Sequence, residues 1–134
     1  MSAPAAFDHQ LRRFGNYVWS VLGYVFLVVA YGVFVRATGS GAGGGNHWPL
    51  GNGSLLPMFG ANQETIEFSH RITSGLVLPL VIGLIYGARR FYEKGHPART
   101  AAYTAFGLTV LEALIGAALV KFGWVDKDDS VARA

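Results

Sequence analysis

The chain has 134 residues, of which 51% are hydrophobic and 14% charged, with a formal net charge of +3 and no cysteine. Soluble proteins carry roughly 25% charged residues, and here the apolar residues collect into long runs rather than at core periodicity. The missing cysteine excludes disulfides and thiolate metal sites, and Lys and Arg form no interleaved basic stripe, so no nucleic-acid partner is expected.

Residues 1–16 carry Arg12 and Arg13 and lead into an uncharged run, Tyr17 to Val35. At about 1.5 Å per residue this run crosses a hydrocarbon core of roughly 30 Å, which places a first transmembrane helix at residues 17–36. A cleaved signal peptide is the competing reading. The run exceeds a usual h-region, holds Trp19, Tyr24, Phe26 and Tyr31, and closes on Arg36 where a small-residue cleavage site would stand.

Residues 37–62 form a long outer loop with no Lys or Arg between Thr38 and Glu67. Its many glycines alone would read as a flexible linker. His47, Trp48, Pro49, Leu50, Leu55, Leu56, Pro57, Met58 and Phe59 give it a greasy middle, suited to lying along the membrane surface or over a site. The glycines lack the Lys-Ser/Thr and strand-to-helix context of a phosphate-binding loop.

A second transmembrane helix is expected at residues 63–88, kinked by Pro79, which removes a backbone donor and clashes with the preceding turn. A basic turn at 89–100 contains Arg89, Arg90, Lys94 and Arg99. The third helix, 101–120, carries one charge, Glu112, roughly 17 Å past Ala101 and so near the bilayer midplane. An ionised group at that depth costs at least about 2.5 kcal/mol. Glu112 should therefore face protein as a neutral, hydrogen-bonded carboxyl, a reading preferred over a proton relay. The spacings Gly83 to Gly87 and Ala113 to Ala117 offer close-packing faces. Residues 121–134 form a tail of mixed charge. The basic residues before the first helix and between the second and third put the N-terminus and the basic turn in the cytoplasm, and the long loop and tail outside. The fold class is thus all-α and integral to the lipid bilayer, with three transmembrane helices.

The chemistry concentrates in Glu67-Phe68-Ser69-His70-Arg71. Residues three and four apart share a helix face, so Glu67 lies beside His70 and Arg71, and Ser74 continues that face. His70 stands nineteen residues, roughly 28 Å, from Arg89, at the outer edge of the hydrocarbon, a level that Arg36 shares. A histidine at a helix end is often only an interfacial polar residue. Ionisable groups at membrane depth, however, usually face a bundle or cavity and mark function. Imidazole is a strong haem-iron ligand, and Arg36 and Arg71 suit haem propionates through charge-assisted hydrogen bonds. Zinc is the weaker reading, because Glu67 and His70 supply two ligands and His47 only a speculative third.

Val35-Arg36-Ala37-Thr38-Gly39-Ser40-Gly41, Asn46-His47-Trp48-Pro49-Leu50, Asn52-Gly53 and Ile66-Glu67-Phe68-Ser69-His70-Arg71 together resemble the haem A synthase (cytochrome oxidase assembly) family. The resemblance runs from the first helix almost to Ala134. It implies two similar four-helix halves, each with a pair of haem-ligand histidines, and oxidation of a haem O methyl group to give haem A. By position it makes His70 an axial haem ligand and Glu67 the acidic residue linked to catalysis; with Arg36 and Arg71 as the cofactor-binding candidates that their charge suggests, the expected cofactor is a b- or o-type haem. It also implies a bacterial-type inner (plasma) membrane.

Two departures stand out. Gly44 and Gly51 occupy places where related sequences often have a cysteine pair, so no thiol chemistry is available there. Three helices match only the first three of a four-helix-bundle half. His9 and His96 fall on the cytoplasmic side, so the opposing histidine is expected from a fourth helix supplied by other membrane subunits or segments. The alternative reading is a non-catalytic small membrane subunit, haem-sharing or structural, of a larger respiratory or photosynthetic complex.

Overall fold

The computed structural model describes residues 3–40 and 62–122, which fold into four helices with no strand among them. These are α1 (Ala3–Ala37), α2 (Asn62–Gly75), α3 (Val77–Phe91) and α4 (Pro97–Lys121). Because α2 and α3 follow one another almost without a break, they make three apolar rods, Phe7–Ala37, Thr65–Phe91 and Pro97–Lys121, each long and apolar enough to cross a membrane. The protein is therefore an all-α membrane protein with three spans. The loop residues around His47 and Trp48, and the tail from 123 onward, lie outside the described residues.

Local chemistry explains where the helices end. α1 stops at Thr38 and Gly39. The Thr38 hydroxyl donates to the carbonyls of Phe34 at 3.0 Å and Val35 at 3.1 Å, and Gly39 takes a positive φ of 67° that a side chain would disfavour. At its other end α1 runs back to Ala3, so the segment bearing Arg12 and Arg13 is helical too. α4 begins with Pro97 in the first turn, where a missing N–H costs nothing. The residue before a proline is driven to extended dihedrals. His96 obeys that restriction, and its Nδ1 accepts from the Ala98 N–H at 3.1 Å. Gly95 turns the chain just before, with φ 88°.

Pro79 interrupts the second span as its ring chemistry requires. It cannot donate to Gly75, and the next bond, from the Leu80 N–H to the Leu76 carbonyl, stretches to 3.5 Å. Leu76 still donates to Ile72 at 3.1 Å, so the rod bends without ending.

α3 packs against both α1 and α4, while α2 packs on α1. The interior is thin: Val21, Val35, Val77, Val81, Ala88, Ala102 and Val120 are its buried apolar residues. Trp19, Phe26, Leu27 and Tyr86 stand outward, as the lipid-facing surface of a spanning helix does. The Gly83–Gly87 spacing is a packing face, as its small residues suggest. A Cβ built at Gly83 would overlap the Tyr17 hydroxyl and one at Gly87 would overlap the Phe14 ring, so α1 aromatics occupy both notches. Glu112 departs from expectation. It is exposed, and so is every residue from Leu111 to Gly116; among the described residues no neighbouring helix covers this part of α4.

Candidate functional site

α1 runs antiparallel to the α2–α3 rod, and three tyrosines set the register. Tyr17 donates to the Leu80 carbonyl at 2.7 Å, Tyr24 to Thr73 at 2.8 Å and Tyr31 to Ile66 at 3.3 Å. Each step is seven residues along α1 and seven back along its partner, the repeat of a seam between helices crossing at a shallow angle. A phenol in hydrocarbon needs an acceptor, and backbone carbonyls provide it. Tyr31 also shares a 2.5 Å hydrogen bond with the Ser69 hydroxyl.

This seam brings the outer half of α1 against the polar face of α2. That face enters the membrane with its hydroxyls satisfied. Ser69 donates to the carbonyls of Thr65 and Ile66, Thr73 to Ser69 and His70, and Ser74 to Arg71, the i−3/i−4 pattern that hides short polar side chains along a helix.

Glu67 is 4% exposed and accepts a hydrogen bond and ion pair from Arg71 one turn on. The pairing matters because an uncompensated buried charge costs several kcal/mol. His70 lies on the neighbouring stripe. Its ring meets Tyr31 edge-on, with centroids 5.6 Å apart and planes at 89°, and it rests on Gly32, where a Cβ would stand 3.2 Å from Cε1 and 3.3 Å from Nε2. The Nδ1 atom is buried with no hydrogen-bond partner among the described residues, a state rare enough in a protein to call for an explanation.

Of the four residues expected at the site, the structure thus gathers Glu67, His70 and Arg71 on one turn of α2. Arg36 is exposed in the last turn of α1, four residues or about 6 Å along the axis from Gly32. His47 lies outside the described residues. Among the described residues no three His, Asp or Glu side chains converge as a metal cage. Tyr31, Gly32 and Ser69 were not among the expected site residues. The signal for them was the seven-residue spacing of Tyr17, Tyr24 and Tyr31.

The sequence matches the cytochrome oxidase assembly protein family over residues 15–133. A Thermus thermophilus protein named protohaem IX farnesyltransferase is 48% identical over 122 residues, covering 91% of this chain and 20% of that protein. Haem A synthases of Alkalihalophilus pseudofirmus and Bacillus mycoides are 38% identical over 99 residues and 37% over 114, covering 74% and 84% of this chain and 33% and 37% of those proteins. The chain thus spans about a fifth to about a third of the length of these relatives. No solved structure matches it significantly.

Proposed function

Because this chain belongs to the cytochrome oxidase assembly protein family, we propose that it forms a haem pocket of a haem A synthase-like membrane protein, whose whole activity is oxidation of a haem O methyl group to haem A. The observation that carries this reading is His70: an imidazole within a spanning rod, with a buried and unpartnered Nδ1. The donor set around it fits one side of a b- or o-type haem. His70 would offer the axial imidazole. Arg71, with Arg36 beyond it, would meet propionates, and bound haem would supply redox-active iron. Glu67, held against Arg71, is the carboxylate suited to moving a proton or stabilising positive charge on the reacting carbon. A relative named for farnesylating protohaem that contains a segment like this chain supports a farnesylated haem as the substrate.

One imidazole serves one face of an iron. The other described histidines, His9 and His96, lie at the opposite end of the helices, so the second ligand would come from a fourth helix, in a further part of the polypeptide or in a partner subunit. The shared, incomplete pocket also favours the second reading, a haem-sharing subunit without catalysis. Family membership supports a bacterial-type inner membrane, and the basic residues at the Arg12 and Arg89 ends support a cytoplasmic N-terminus. The test is an absorption spectrum of the detergent-purified protein, loaded with haem b or haem o. A Soret band that His70→Ala removes while the helical circular dichroism stays is expected. No band in the wild type, or an equal band in the variant, refutes the haem reading.

A further inference from the structure

His70 is the residue on which the proposed site turns, yet its Nδ1 has no hydrogen-bond partner among the described residues, and the Glu67 carboxylate one turn away is paired with Arg71. Two residues of α1 lie against the imidazole. Gly32 gives way beneath it, since a Cβ there would stand only 3.2 Å from Cε1 and 3.3 Å from Nε2, inside the ordinary carbon contact distance of about 3.5–4.0 Å. The Tyr31 ring closes one edge, and Tyr31 is itself pinned, through its hydroxyl, to Ser69 and to the Ile66 carbonyl. A side chain two bonds from the backbone, packed against a notch on one side and a perpendicular ring on another, keeps one rotamer.

We propose that Gly32 and Tyr31 are positioning residues for His70: the missing side chain at 32 and the pinned ring at 31 form a notch on α1 that fixes the imidazole and keeps Nδ1 free of protein partners. This rests on the proposed role of His70 for its importance to haem, but the positioning itself concerns this chain's own side chains and is tested without haem. A glycine in the apolar body of a helix is otherwise unfavourable by about 1 kcal/mol relative to alanine. Gly23, nine residues earlier on the same helix, supplies the control, since a Cβ there meets nothing within 4 Å.

The experiment uses the whole chain in detergent micelles with 13C-labelled histidine, and reads the His70 Cε1–H resonance, assigned by its loss in His70→Ala. Gly32→Ala is expected to move that resonance, because the ring must leave the notch, and Tyr31→Leu to move it through loss of the aromatic ring's shielding. Gly23→Ala should leave it in place. Because the added methyl at 32 displaces its neighbour by only a few tenths of an ångström, the fold should survive. Tyr31→Phe, which keeps the ring and loses the Ser69 bond, gives a smaller shift and remains informative if Tyr31→Leu does not fold. In haem-loaded protein Gly32→Ala should raise the haem dissociation constant about tenfold, equivalent to about 1.4 kcal/mol, and Gly23→Ala should not. A His70 resonance unmoved by both Gly32→Ala and Tyr31→Leu overturns the notch. Failure of the wild type to take up haem, with the resonance still responding to Gly32, overturns the haem reading and leaves the notch standing.

Discussion

Gly87→Ala should destabilise the protein, although the same change at Gly107, in open space on α4, should stabilise it. A methyl built at Gly87 would overlap Cε2 and Cδ2 of Phe14 and lie 2.9 Å from its Cζ, well inside contact, so the ring has to swing out. That ring packs on Phe91 with centroids 5.4 Å apart and on Tyr92 at 6.4 Å. Aromatic pairs contribute about 0.5–1.5 kcal/mol each, and overpacking a filled space costs about 1–3 kcal/mol. Against this stands a gain of about 1 kcal/mol from alanine's helix propensity. The balance is a net loss of about 1–5 kcal/mol. At Gly107, where a Cβ meets nothing within 4 Å, only the propensity gain remains. Titration of the folded protein in mixed micelles with a denaturing detergent, followed by circular dichroism, should separate the two variants by about 2–6 kcal/mol, the sum of these effects. Equal stability of Gly87→Ala and Gly107→Ala would refute the packing described for α1 against α3.

Tyr24→Phe removes the 2.8 Å bond to the Thr73 carbonyl and should cost about 0.6 kcal/mol, the usual worth of a hydrogen bond within a membrane; a neutral result in the same titration would mean that the tyrosine seam does not hold α1. His96→Ala deletes the side-chain cap of α4 and should cost about 1 kcal/mol, while His96→Asn, which keeps an acceptor at that position, should retain most of it. Glu112→Leu should improve insertion of the third span by about 2.5 kcal/mol or more, read in a glycosylation-reporter assay of that segment; unchanged insertion would place the carboxyl shallower than its position in α4 requires.

The three spans were legible because lipid imposes a coarse demand, some twenty residues without charge, and Tyr17–Val35, Ile72–Ala88 and the stretch around Glu112 meet it. The bend at Pro79 was legible for an equally local reason. The ends were less so. Asp8, Arg12 and Arg13 mark where hydrocarbon stops, but charge does not stop a helix, and α1 continues to Ala3. α4 begins at Pro97 rather than Ala101 because a proline in the first turn starts a helix whatever its polarity. For Glu112, insertion cost says that a carboxyl needs cover, while nothing local says which element provides it; among the described residues none does.

The site divides along the same line, between what one helix dictates and what requires a second. The Glu67–Arg71 pair follows from four-residue spacing on α2 alone. The notch for His70 depends on register between α1 and α2, and that register is where the tyrosines act. A phenol in a low-dielectric seam must find a carbonyl, and a two-helix seam repeats every seven residues. Once Tyr17 reaches Leu80, the same alignment carries Tyr24 to Thr73 and Tyr31 to Ile66. A slip of α1 by one turn would break all three bonds together. It would also withdraw Gly32 from the imidazole and bring a bulkier neighbour, Val28 or Val29, toward the ring. Three hydroxyls that carry no chemistry of their own thereby determine which α1 residue stands under His70.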